Sequence, residues 1–200
     1  MRDVIFDLGG VFIEWKPADI LARLYPDEAD RSLVGDATFR HGDWSELDRG
    51  MLSEEVAIQR FAERTGRSVS ELAAFMDFVR ESLVVVPQTV ALIEELAARG
   101  MPLYCLSNIS EPNFAFLRKR YDFWPAFRGI VISGSVKMIK PDSRIFQVIA
   151  DRFELVPGKS IYVDDLAANV ESAGRLGFRA IQFKTAQQCR AQIETLLGAT

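Results

Sequence analysis

The 200-residue chain has one histidine and two cysteines, Cys105 and Cys189. Two thiols are too few for a disulfide framework, and the reading they support is a pair of reduced, buried side chains. Positive charge is also scarce: 24 Lys plus Arg stand against 28 Asp plus Glu, a net charge of −4. That balance gives no electrostatic footprint for nucleic acid or an anionic membrane surface, so neither is an expected partner. Long apolar runs are missing as well. No stretch reaches the about 18 residues of a membrane span. The N-terminus has no basic region leading into a long apolar run, because Asp7 interrupts it. A soluble cytoplasmic protein is the expectation. Internal repeats and low-complexity tracts are absent, and the sequence does not fix an oligomeric state.

What is present is an ordinary apolar fraction, 48%, on a chain long enough for one domain, or one domain with a small insertion. Short β-rich runs recur at 3–6, 102–107, 129–133, 160–164 and 179–183. Helical patterns separate the last four and close the chain, at 111–120, 143–154, 167–176 and 186–197, with another at 88–99 that Gly100 stops. This alternation implies an α/β fold: a Rossmann-like parallel sheet with helices on both faces. Residues 15–85 break the rhythm and read as helical, with segments near 17–25, 28–35, 53–65 and 69–81. Ser53 and Ser70 are the expected N-caps of the last two, and Gly35, Gly42, Gly50 and Gly66 punctuate the region. The expected organisation is a core of residues 1–14 and 86–200, with an all-helical cap, 15–85, inserted over the carboxyl edge of the sheet, where ligands of open α/β folds bind.

Chemistry collects at that edge. Asp7 follows the buried run Val4-Ile5-Phe6, where an ionised carboxylate is costly unless paired, hydrogen-bonded or bound to metal. Ser107 and Asn108 end the second run. Lys140-Pro141 opens the helix after the third. Asp164, Asp165 and, four residues on, Asn169 follow the fourth. Clustered carboxylates suit Mg²⁺, a hard cation that shares phosphate oxygens. A lysine and a hydroxyl neutralise and hydrogen-bond phosphoryl oxygens. A strand-end carboxylate can attack phosphorus.

The motifs VIFDLGGV, LSN, KPDSRIF and YVDDLAANVESAGRLG, in this order, resemble the haloacid dehalogenase superfamily of hydrolases, and the resemblance spans nearly the whole chain. It implies that Asp7 is the nucleophile, that Ser107 holds phosphoryl oxygens with Asn108 beside it, and that Lys140 pairs with Asp7 and the phosphoryl group. It implies Mg²⁺ bound by Asp7, Asp165 and the backbone carbonyl of Gly9. Asp164 and Asn169 then act through metal-bound water or hydrogen bonds behind the ligands. The start Asp7-Leu8-Gly9 is most similar to a subgroup of small-cap sugar-phosphate phosphatases, which makes a small phosphorylated metabolite the expected substrate.

Gly9 departs from the usual pattern. Phosphatases of the superfamily usually carry an aspartate there, which protonates the leaving oxygen and then activates water, help typically worth about 10²–10⁴-fold. Without it the substrate has a better leaving group, or water or a cap residue supplies the proton, with His41, Asp43 and Glu46 as candidates. Trp15, Trp44 and Phe12 either line the entrance or pack the cap on the core. Two other readings stay open. Superfamily dehalogenases also lack this acid, but they are metal-free and do not keep the acidic pair of Asp164 and Asp165. A non-catalytic phosphate- or partner-binding relative has no need of a nucleophile. A phosphomutase needs the missing acid.

Overall fold

The computed structural model describes residues 3–198. Five strands, β1 (Asp3–Phe6), β2 (Leu103–Ser107), β3 (Gly129–Ile132), β4 (Ser160–Asp164) and β5 (Arg179–Gln182), form one parallel sheet in the order β3-β2-β1-β4-β5. The helices are α1 (Pro17–Leu24), α2 (Glu28–Ala37), α3 (Gly42–Asp48), α4 (Glu54–Thr65), α5 (Val69–Glu81), α6 (Pro87–Ala98), α7 (Glu111–Arg120), α8 (Ser133–Val136), α9 (Ser143–Arg152), α10 (Ala167–Arg175) and α11 (Ala186–Gly198). No helix among the described residues is long and apolar enough to cross a membrane.

The inner strands β2, β1 and β4 are buried on both faces, which is why they read as nearly continuous apolar runs. Successive side chains alternate between two cores. Val4, Phe6, Leu103, Cys105, Ile161 and Val163 pack with Leu92 of α6, Leu117 of α7 and Ile193 of α11. Ile5, Tyr104, Leu106 and Tyr162 pack on the other side with Ile145 and Ile149 of α9 and Ala173 of α10. Both cysteines are buried free thiols, as expected.

Helices α1–α5 lie between β1 and α6 in the chain and have an apolar cluster of their own, containing Ile20, Val34, Leu47, Phe61, Phe75 and Val79. Trp15 touches both this cluster and that of the sheet. Two bonds tie the end of α3 to the sheet edge: Ser133 Oγ donates to the Asp48 carbonyl at 2.6 Å and Lys137 Nζ to the Gly50 carbonyl at 2.8 Å.

Local chemistry explains where the helices differ from expectation. Ser53 caps α4 through Val56 N as expected, but the cap of α5 is Ser68 rather than Ser70. Only Ser68 has a Glu three residues on: Glu71 N donates to Ser68 Oγ at 3.2 Å and Ser68 N to Glu71 Oε2 at 3.0 Å, a reciprocal capping box. Gly35 does not stop α2, which runs on to Ala37. The segment Gly42–Asp48 forms a helix, α3, that the periodicity did not reveal, and Ser133 opens α8 instead of extending β3.

Candidate active site

The strand order makes β1 central. The chain builds outward to β2 and β3 on one side and to β4 and β5 on the other, so a crevice opens at the carboxyl ends of β1 and β4. Asp7 stands at this switch point, its backbone N–H bonded to the Val163 carbonyl at 2.8 Å. One oxygen of its carboxylate is committed: Oδ1 accepts from Leu8 N at 2.6 Å and lies 2.8 Å from Lys140 Nζ. Oδ2 has no hydrogen-bond partner among the described residues.

Lys140 is buried and uses its ammonium fully. Besides Asp7 it donates to the Leu106 carbonyl at 3.0 Å and to Asp164 Oδ2 at 2.7 Å. Asp164 is equally saturated. Tyr162 Oη donates to its Oδ2 at 2.5 Å, Asn169 Nδ2 reaches both oxygens, and Leu166 N donates to Oδ1 at 2.9 Å. The backbone of Lys140 is pinned from the other side: Asn108 Nδ2 donates to its carbonyl at 3.0 Å, and its N–H donates to Asn108 Oδ1 at 2.8 Å.

The charges settle accordingly. Burial pushes the Asp7 carboxyl up to about 7, against the pull of Lys140 and with the help of the Asp164 charge. Burial also works against ionised Asp164 and Lys140, but each is outweighed by its partners. Asp164 is held below the usual carboxylate range by Lys140, and Lys140 above the usual lysine range by Asp7 and Asp164. Asp165 is raised by burial and by its neighbour Asp164.

Asp7, Asp164 and Asp165 each bring an oxygen within 4.8 Å of the others. An all-oxygen set with an excess of negative charge fits a hard divalent cation such as Mg²⁺. The backbone beside it is shaped to match. Gly10 has φ +74°, and a Cβ there would stand 2.3 Å from Asp165 Oδ2, so only glycine leaves this carboxylate its place. The Gly9 carbonyl accepts no backbone hydrogen bond among the described residues and is free for a cation.

The structure therefore brings together Asp7, Lys140, Asp164, Asp165 and Asn169. Ser107 ends β2 beside β1, with its hydroxyl unpaired among the described residues. Asn108 spends both polar atoms of its side chain on the Lys140 backbone. The expected proton donors of the helical region are engaged elsewhere. His41 is the exposed N-cap of α3, its Nδ1 accepting from Asp43 N at 3.1 Å. Asp43 is held by Arg60 at 3.0 Å and Arg64 at 2.8 Å, and Glu46 lies 3.1 Å from Arg49. Phe12 is fully buried among Phe123, Trp124 and Phe127, far too enclosed to line an entrance. Trp44 is also buried, and half-buried Trp15 stacks on it.

Tyr162 and Gly10 escaped sequence reasoning. Tyr162 had a signal, because a residue two before Asp164 on a strand shares its face. A third unexpected group, Asp48, ends α3 beside the Ser110 backbone N–H and the Trp44 side chain, and burial raises its carboxyl to about 8.

The fold is a Rossmann-like parallel α/β sheet with a lysine-bridged carboxylate cluster at its switch point. The chain belongs to the haloacid dehalogenase-like hydrolases, whose family model matches residues 1–177. It is 30% identical over 204 residues to the drimenol cyclase drtB of Aspergillus calidoustus, which covers 100% of this chain and 37% of that protein. It is 26% identical over 198 residues to the sesquiterpene phosphatase astK of Aspergillus oryzae, covering 98% of this chain and 97% of the other. A HAD family enzyme of Bacteroides thetaiotaomicron, solved with magnesium and inorganic phosphate, superposes with a TM-score of 0.72 at 19% identity over 92% of this chain and 94% of that one.

Proposed function

We propose that this hydrolase is a Mg²⁺-dependent phosphatase of a small phosphorylated metabolite, working through an aspartyl-phosphate on Asp7, with α1–α5 as the cap over the site. The observation that carries this reading is the arrangement of Asp7: one oxygen clamped by Leu8 N and Lys140 Nζ, the other free, beside two further acids. The magnesium-and-phosphate complex of the Bacteroides protein and the phosphatase name of the astK relative support it.

The residues divide the work as follows. Asp7, Asp165 and the Gly9 carbonyl would hold the cation, which when bound supplies positive charge to the phosphoryl oxygens and favours the ionised form of Asp7. Asp7 Oδ2 attacks phosphorus, the ester P–O bond breaks, and the alcohol oxygen leaves with the electron pair. Water then attacks phosphorus, releasing inorganic phosphate and regenerating the Asp7 carboxylate. Lys140 and the Ser107 hydroxyl stabilise the phosphoryl oxygens, while Asp164, Asn108 and Asn169 keep Lys140 aimed. Position 9 offers no acid, so the first step depends on a proton from solvent or on a leaving group that needs none. A dehalogenase has no use for the paired acids. The test is Mg²⁺-dependent release of phosphate from acetyl phosphate and p-nitrophenyl phosphate, with chloroacetate as the dehalogenation control. Asp7→Asn should lower phosphate release by at least about 10³-fold, as loss of a nucleophile does. Full activity in that variant, with deamidation excluded by mass spectrometry, would overturn the mechanism.

A further inference from the structure

The place left by the missing acid is not open space. A Cβ built on Gly9 would meet one side chain within 4 Å: Trp15, with Cβ at 3.5 Å and Cγ at 3.9 Å. Trp15 lies on the loop from β1 to α1 and is half-buried, with part of its surface free. Its ring is locked by its neighbours, stacked on Trp44 at 5.7 Å and edge-on to Phe39 at 5.5 Å. These belong to one apolar cluster that continues through Phe61 and Phe75. Leu166, which directly follows Asp165, is 57% exposed.

Charged groups near this wall in the chain engage one another. Glu14 and Lys16, flanking Trp15, engage each other at 3.1 Å. His41 and Asp43 at the start of α3 are bound up with each other and with Arg60 and Arg64. A polyhydroxylated leaving group needs unspent donors and acceptors at fixed positions, since each hydroxyl taken from water without a partner is penalised. An indole face offers instead a rigid apolar area.

We infer that Trp15 is the specificity-determining residue of this site, forming the leaving-group wall beside Gly9, and that the substrate class is phosphomonoesters of apolar alcohols rather than of polyols. The inference rests on the phosphatase reading for the anionic end of the substrate. The apolar body lies along Trp15, and the phosphoryl group meets Asp7, Ser107 and Lys140. Burying it draws binding energy from methylenes, and that energy is the only discrimination this wall provides.

The experiment measures binding of non-hydrolysable n-alkylphosphonates, methyl to octyl, to the Mg²⁺-loaded protein by calorimetry. Affinity should rise about 2- to 4-fold per added methylene until the wall is covered. Butylphosphonate should bind at least about fivefold more tightly than 3,4-dihydroxybutylphosphonate. Trp15→Ala should remove at least half of the gradient, and Trp15→Phe, which keeps an aromatic face and controls for packing, should retain most of it. A flat series, tighter binding of the dihydroxy compound, or a gradient unchanged in Trp15→Ala overturns the inference. Acetyl phosphate hydrolysis, followed in parallel, separates the two readings. A flat series in an active enzyme removes only the apolar wall. A Trp15-dependent gradient in a protein inert toward acetyl phosphate removes the phosphatase and leaves the apolar site standing.

Discussion

Lys140 Nζ lies 2.7 Å from Asp164 Oδ2, and neither side chain is more than 1% exposed. Removing the cation leaves two buried carboxylates facing each other without compensation, a defect that typically costs about 3–5 kcal/mol. Lys140→Ala is therefore expected to lower both stability and phosphate release, read by urea unfolding and by turnover. Adding Asp164→Asn should recover part of the stability and none of the turnover, because one of the stranded charges is gone while the phosphoryl group still lacks its lysine.

Asp164 and Asp165 are neighbours with separable effects. Tyr162→Phe removes the hydroxyl that donates to Asp164 Oδ2, a hydrogen bond to a charge typically worth about 1.5–3 kcal/mol. Stability should fall by that order with Mg²⁺ affinity little changed. Asp165→Asn should do the reverse, weakening Mg²⁺ binding at least about tenfold with little loss of stability. Calorimetric titration with Mg²⁺ beside thermal unfolding distinguishes the two, and equal effects of both variants on both readouts would contradict the division.

Adjacent glycines should behave differently. Gly10→Ala drives a methyl into the Asp165 carboxylate at a φ of +74°, so metal binding and activity should both collapse. At Gly9 a Cβ meets only Trp15, at ordinary contact distance. Gly9→Asp should therefore fold, and by restoring an acid should speed aspartyl-phosphate formation from alkyl phosphates by about 10- to 100-fold, with little gain for aryl phosphates. Single-turnover measurement isolates that step. A uniform gain across leaving groups would show that the acid is not acting on the departing oxygen.

Asp48 sets a pH dependence of stability. Its carboxyl titrates near the ordinary value of 3.8 in the unfolded chain and at about 8 in the fold, where burial dominates. Between these values the native state holds a proton that the unfolded chain does not, so this group's contribution to stability falls as pH rises through the window. Asp48→Asn removes the difference. The variant should match the parent near pH 4 and exceed it above pH 8 by an amount on the order of a few kcal/mol. Denaturation at both pH values measures it, and parallel pH profiles for the two proteins would exclude the effect.

Most of the fold was legible because it rests on periodicity. Among the described residues, the five strands and nine of the eleven α-helices announce themselves as buried runs and apolar faces. The misses have local causes. The seven-residue α3 and four-residue α8 are too short to show a helical repeat. Ser68 and Ser70 are both plausible caps until the partner at Glu71 is considered. Residue type pointed to Asp7, Lys140, Asp164 and Asp165, which the fold brings together, since charges ending apolar strands stand out. It gave no sign of the two bonds by which Asn108 holds the Lys140 backbone, because those partners are 32 residues apart in the chain. It also could not place His41 or Asp43, whose partners come from the turn of α3 and from α4.

The position of β1 has a consequence for how the molecule comes into being. Phe6, one residue before Asp7, pairs with Cys105 on one side and Val163 on the other. β1, which precedes the other four strands in the chain, thus waits for β4 before it has both neighbours. Until β4 has emerged, Asp7 hangs from an unsatisfied sheet edge, without Asp164, the other carboxylate that Lys140 bridges. Helices α1–α5, whose contacts are close in sequence, can condense long before then, because local contacts close at lower entropy than distant ones. The helical region can thus form ahead of the sheet, and Asp7, Lys140 and Asp164 come together only with the docking of β4 against β1.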